Sequence, residues 1–150
     1  MQYWLFKTEP DEFSINDLKR KNNEVWDGIR NYQARNFLRD QVALDDLVFI
    51  YHSSCKEPGI VGIATVIKTA FPDPSQFDAN SKYFDTKSTL ENPRWFSVEL
   101  QFVKQLRPIP LAKLKNDQQL ASMLLIQKGS RLSIQPVTKS EWEYILKTYS

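Results

Sequence analysis

The 150-residue sequence is poor in several of the groups on which protein chemistry most often relies. Cysteine occurs once, as Cys55, so neither an internal disulfide nor a cysteine zinc cluster can form. Histidine also occurs once, as His52, which removes a histidine-rich metal site and a paired-histidine acid–base device. No P-loop, GxGxxG fingerprint, GxSxG elbow or metal-ligand spacing is present. The acid pairs Asp11-Glu12 and Asp45-Asp46 are neighbours in sequence only, which gives no ground for two converging catalytic carboxylates. Charge of one sign is not in excess: the net charge is +2, so any contact with nucleic acid must come from a local patch rather than from a basic tail. No apolar run approaches the ~20 residues of a membrane span. Met1 to Lys7 lacks the basic region and long apolar stretch of a signal peptide. The expectation is an intracellular, cytoplasmic or nuclear monomer with no membrane partner, no metal and no cofactor.

The groups in good supply are those of a soluble globular chain. Hydrophobic residues make up 41% and charged residues 25%. This length fits one domain spanning residues 1–150, able to bury roughly 70% of its unfolded surface. Aromatics reach 13%, and large rings serve equally as core and as stacking surface.

The stretch from Val25 to Asp40 concentrates the features of a ligand site. Trp26 precedes the turn signal Asp27-Gly28, and Asn31 is suited to cap a helix that begins just after it. Ala34, Phe37 and Leu38 recur at the spacing of a buried helix face, whereas Asn31, Arg35 and Arg39 share another stripe. An indole on a loop, free amides at a helix start and two guanidiniums suit an aromatic, anionic ligand such as a nucleotide. The same residues also fit a core tryptophan beside solvated arginines.

Along the rest of the chain, Tyr3–Thr8 reads as a strand closed by Lys7, which is either a solvated strand end or a phosphate contact. Ser14 with Asp17 forms a capping box for a short helix. Leu47–Ser53 is a continuous apolar strand with His52 and Ser53 at its rim, the histidine read as structural. Ile60–Ile67 follows as its antiparallel partner, with Gly62 marking a bulge or a close backbone approach. Phe71–Pro93 is a long irregular stretch of the kind that often carries function. The alternation from Arg94 to Leu106 puts Trp95 on the face opposite Phe96, Val98, Leu100 and Phe102, making it a second candidate stacking ring. Leu111–Met123 reads as helical with a break at Asn116-Asp117, Leu132–Val137 as a short strand, and Thr138 with Glu141 as a capping box for a last helix. The residues alone give an α+β chain: a mostly antiparallel β-barrel or sheet with short helices and an aromatic-polar pocket.

Particular strings carry a resemblance. Tyr3-Trp4-Leu5-Phe6-Lys7-Thr8-Glu9-Pro10, the run from Trp26 to Asn36, Tyr51-His52-Ser53, Pro58-Gly59-Ile60-Val61-Gly62, Asn92-Pro93-Arg94-Trp95 and the run from Leu132 to Val137 together resemble the EVE domain family, in order and over nearly the whole chain. Thr8, Ser54 and Leu90 depart from the family's usual residues. EVE domains belong to the PUA-like superfamily, as do the YTH domains that read methylated adenine in RNA. The resemblance implies a PUA-like, mostly antiparallel β-barrel with peripheral short helices that binds a modified base, cytosine or adenine, in DNA or RNA, without catalysis. By likeness to the YTH pattern, Lys7 and Trp26 line the base pocket, and Thr8 and Asp27 are placed to hydrogen-bond a base edge. A further wall comes from Phe77, Tyr83, Phe84 or Trp95. The candidate set is Lys7, Thr8, Trp26, Asp27, Asn31, Tyr32, Arg35, Ser53, Tyr83, Trp95 and Arg131, with Arg35, Arg39 and Arg131 as phosphate holders. Two alternatives stand beside it: a metal-independent ribonuclease using Lys7, Tyr32 and Arg35, and a protein-interaction module.

Overall fold

The computed structural model describes all 150 residues. Six strands form one sheet: β1 (Tyr3–Thr8), β2 (Asn23–Trp26), β3 (Leu47–His52), β4 (Gly59–Pro72), β5 (Phe96–Pro110) and β6 (Ile134–Val137), in the spatial order β2-β5-β4-β3-β1-β6. Four α-helices accompany it: α1 (Ile15–Lys21), α2 (Tyr32–Asp40), α3 (Leu111–Lys115) and α4 (Lys139–Tyr149). Every strand pair is antiparallel except β1 with β3. The mostly antiparallel α+β architecture is as expected, but the barrel is open. β2 and β6 end the sheet without pairing to each other, and α2 lies against β4, β5 and β6. No helix is long and apolar enough to cross a membrane.

The apolar runs of β1 and β3 have a direct structural consequence. Successive side chains on a strand point to opposite faces. Trp4, Phe6, Val48 and Ile50 therefore enter one core, and Leu5, Phe49 and Tyr51 enter another. Both strands are central and covered on both sides, which is why their sequences are continuous rather than alternating. α4 covers the second core, with Trp142 stacked on Phe49 at 3.8 Å. α2 covers the first, burying Ala34 and Leu38 and setting Phe37 edge-on to Trp4. Asp46, itself buried, ties the start of β1 to β3 by accepting from the Gln2 and Ala43 amides and from Trp4 Nε1.

Local signals fixed most helix ends. Asn31 Oδ1 accepts from the Ala34 amide, and the capping boxes at Ser14/Asp17 and Thr138/Glu141 are both formed. Gly62 serves both expected purposes, lying at a register shift in β4 and under Ile15, whose Cδ1 would stand 2.3 Å from an added Cβ. Three expectations need adjustment. Trp26 is the last residue of a strand, β2, rather than part of a loop. The irregular stretch starts only after Pro72, because β4 and β5 continue as a bulged, bent ribbon beyond Ile67 and Leu106. The helical reading of Leu111–Met123 shrinks to α3 and a 3-10 turn at Gln118–Leu120, because Asp117 caps that turn and also accepts from Tyr144 and Tyr149.

Candidate ligand pocket

The strand topology brings distant chain ends to one rim. The parallel pairing of β1 with β3 sets Thr8 beside His52, and the Ser53 amide donates to Thr8 O at 2.9 Å. The antiparallel pairing of β1 with β6 brings in the loop before β6, whose Ser133 carbonyl accepts from the Lys7 amide at 2.8 Å. Curvature of the sheet then carries β2 around until Trp26 touches Phe6, a residue of a strand with which β2 does not pair, at 5.8 Å between rings. Between these ends lies a cavity of about 670 Å³, within the range of small-molecule sites.

Seven of the eleven sequence-nominated residues line it: Lys7, Thr8, Trp26, Asp27, Ser53, Tyr83 and Arg131. Trp26 forms apolar wall together with Phe13, Val25 and Ile29. It is only 6% exposed and belongs to the first core, and it lines the cavity as well. The Thr8 hydroxyl is already engaged, donating to Phe13 O at 2.7 Å, and thereby fixes that wall. Tyr83 is the loop aromatic that reaches the cavity.

The polar groups of the cavity are electrostatically tuned by burial. Lys7 is half-buried with its ammonium 5.7 Å from the Tyr51 ring centroid, and burial lowers its pKa. The Asp27 carboxyl is shifted the other way, first by burial and then by the neighbouring Asp73 and Glu24 carboxylates. Both shifts penalise the charged form, so a ligand that hydrogen-bonds either group offsets part of that penalty. Arg131 is exposed at the mouth, and Lys82, paired there with Glu12, is a second cation on the rim.

The other four residues form a separate cluster next door. Asn31 is the α2 cap. Tyr32 is stacked on Trp95 at 4.8 Å, and the Trp95 Nε1 donates to Asp85 at 2.7 Å. Arg35 lies over Tyr32, donating to Arg94 O and to Asn36. Trp95 lies just before β5, and Tyr32 and Arg30 cover its ring, so the indole is buried and does not line the cavity. Sequence reasoning missed Arg30 and Asp73, which join the turn after β2 to the long loop. The Asp73-Pro74 string signals a local cap, and nothing in it signals an ion pair across 43 residues.

Three comparisons with known proteins agree. The EVE domain model matches residues 2–148. Human thymocyte nuclear protein 1 is 44% identical over 164 aligned residues, which cover 96% of this chain and 72% of that protein. The crystal structure of a Pseudomonas syringae protein superposes with a TM-score of 0.93 at 52% identity, over 97% of each chain. The crystal structure of human THYN1 protein in complex with 5-methylcytosine-containing DNA superposes with a TM-score of 0.92 at 44% identity, covering 98% of this chain and 96% of that one.

Proposed function

The chain belongs to the EVE domain family, and from that premise we propose that it binds nucleic acid without catalysis and reads one modified base, a 5-substituted cytosine, in the cavity beside β1 and β2. The observation that carries the reading is the meeting of Trp26, Lys7 and Asp27 around one space of about 670 Å³. Its choice of base leans on the 5-methylcytosine-containing DNA of the THYN1 complex.

The chemistry follows from the parts. A base turned out of its strand costs a few kcal/mol of stacking and regains ~1–3 kcal/mol against an aromatic wall. A carboxylate accepts from the cytosine N4 amino group, while an ammonium donates to the ring's acceptors. Asp27 and Lys7 supply that pair. A 5-methyl group against apolar surface adds ~1–3 kcal/mol of discrimination. Arg131 and Lys82 at the rim are the groups available to the flanking phosphates. The ribonuclease alternative required Lys7, Tyr32 and Arg35 at one phosphate, yet only Lys7 lines the cavity.

Fluorescence titration with short oligonucleotides tests the proposal, in matched DNA and RNA carrying 5-methylcytosine, N6-methyladenine or no modification, at fixed salt. The expected result is tightest binding to the 5-methylcytosine oligonucleotide, recovered intact after long incubation with chelator. Equal affinity for all three would overturn base reading, and strand cleavage would restore the nuclease alternative.

A further inference from the structure

We infer that Arg30 is a positioning residue of this pocket: it holds the Tyr83 ring against the Gly28 turn as one wall of the cavity, and so shapes the space available to a base. The inference rests on the functional reading above.

Arg30 uses all five guanidinium N–H donors. Nε and Nη2 donate to the Tyr83 carbonyl at 3.2 and 2.6 Å. Nη1 donates to Ile29 O and Asp73 Oδ2, each at 3.0 Å, and Nη2 also donates to Ser75 Oγ at 3.1 Å. The guanidinium also lies over two aromatic rings, its Cζ 5.4 Å from the Tyr83 centroid and 5.2 Å from that of Trp95. Tyr83 is thus held twice, by its backbone and by its ring face. Asp73 completes the clamp: it is fully buried, and besides Arg30 it accepts from the Gly28 amide at 2.8 Å.

One ion pair therefore joins the Gly28 turn to the Tyr83 loop. The two pack directly on each other and form one wall of the pocket. Gly28 has φ +80°, and a Cβ there would stand 2.6 Å from Tyr83 Cε2. A buried ion pair is a poor source of net stability, because desolvation offsets the attraction. Its worth here is geometric. A lysine at position 30 keeps the charge beside Asp73 but has neither the planar fork nor the stacking face.

A binding cycle with the full chain tests the inference, using a 5-methylcytosine oligonucleotide and the wild type, Arg30→Lys, Tyr83→Ala and the double variant. Arg30→Lys is expected to weaken binding roughly tenfold, the size of one stacked ring. In the Tyr83→Ala background the same change should cost little, since its effect passes through Tyr83. Fluorotyrosine at position 83, read by fluorine NMR without ligand, should show a ring that is more mobile in Arg30→Lys. Unaltered affinity, a loss that persists undiminished without Tyr83, or an unaltered ring signal would each overturn the inference. If Arg30→Lys does not fold, Gly28→Ala carries the test by displacing Tyr83 with Arg30 intact: weakened binding supports the inference, and wild-type affinity overturns it. A wild type that binds no modified oligonucleotide removes the functional reading, whereas the ring signal still reports whether Arg30 orders Tyr83.

Discussion

Trp26 stands edge-on to Phe13, with ring centroids 5.9 Å apart and planes at 86°. The contact seals the indole between cavity and core, where Phe6 meets it from the other side. Trp26→Ala should therefore lose ligand binding and also ~3–5 kcal/mol of stability in urea unfolding, the usual cost of deleting a large buried aromatic. Trp26→Phe keeps a ring at that edge and should unfold later than the alanine variant while still binding less tightly than the wild type. An alanine variant as stable as the wild type would mean that the indole contributes nothing to the core.

The His52 imidazole accepts the Ile15 amide through Nε2 at 3.1 Å, which anchors the first turn of α1 to the end of β3. Only neutral imidazole can accept there, and burial holds its pKa below the ordinary 6.5. The native state then binds fewer protons than the unfolded chain, so stability rises with pH. The contribution is complete above 6.5 and is lost as pH falls through the depressed native value. Stability of the wild type should decline on acidification through that window, and His52→Ala should be less stable at neutral pH yet flatter across it. NMR titration of the imidazole checks the cause directly; a midpoint at or above 6.5 would contradict it.

How much of this could be read from the sequence depended on range. Helix caps at Asn31 and Thr138, and the doubly covered strands β1 and β3, are written in short windows whose period and composition suffice. β2 escaped notice because its residues Asn23 and Glu24 are polar and it is an edge strand, so neither burial nor alternation marks it. The role of Trp95 was not legible: only the fold reveals that Tyr32 and Arg30 cover its ring. For the pocket, Trp26 and Lys7 were already candidates from their local sequence, and the resemblance to a family set them around a base and added Asp27. The clamp of Arg30 on Asp73 and Tyr83 depends on a loop closing over more than forty residues, which leaves no local trace.

Lys7 and Asp27 should trade stability for binding. The Lys7 pKa is lowered by burial, so its ammonium is a cost to folding at neutral pH, a cost that begins to fall as pH rises past the lowered native value and is gone only above the ordinary 10.5. The Asp27 pKa is raised, by burial and then by Asp73 and Glu24, so its stabilising share is complete below its ordinary 3.8 and is lost as pH rises through the raised native value. Lys7→Met should raise the melting temperature at pH 7, and Asp27→Asn should raise it by less, because Asp27 is exposed and solvent screens its repulsion from Asp73 and Glu24. Each should weaken binding of the modified oligonucleotide by roughly tenfold or more, as for a lost hydrogen bond to a charged group. Functional sites commonly hold such destabilising groups. Lowered melting temperatures in both variants would show that the two groups support the fold instead.

Arg131 and Arg35 should separate in a salt titration. Arg131 lines the cavity mouth, is exposed, and has no carboxylate within 4.0 Å. Arg35 lies outside the cavity and spends its donors on Arg94 O and Asn36. Each phosphate neutralised by a protein cation adds about 0.7 to 0.9 to the slope of log affinity against log salt. Arg131→Ala should therefore weaken oligonucleotide binding and flatten the slope by about that amount, with little effect on a free modified nucleoside, which has no phosphate. Arg35→Ala should leave the slope close to that of the wild type. If both variants flatten it equally, the strand runs across α2 as well as over the cavity, and the path of the flanking phosphates must be redrawn along that helix.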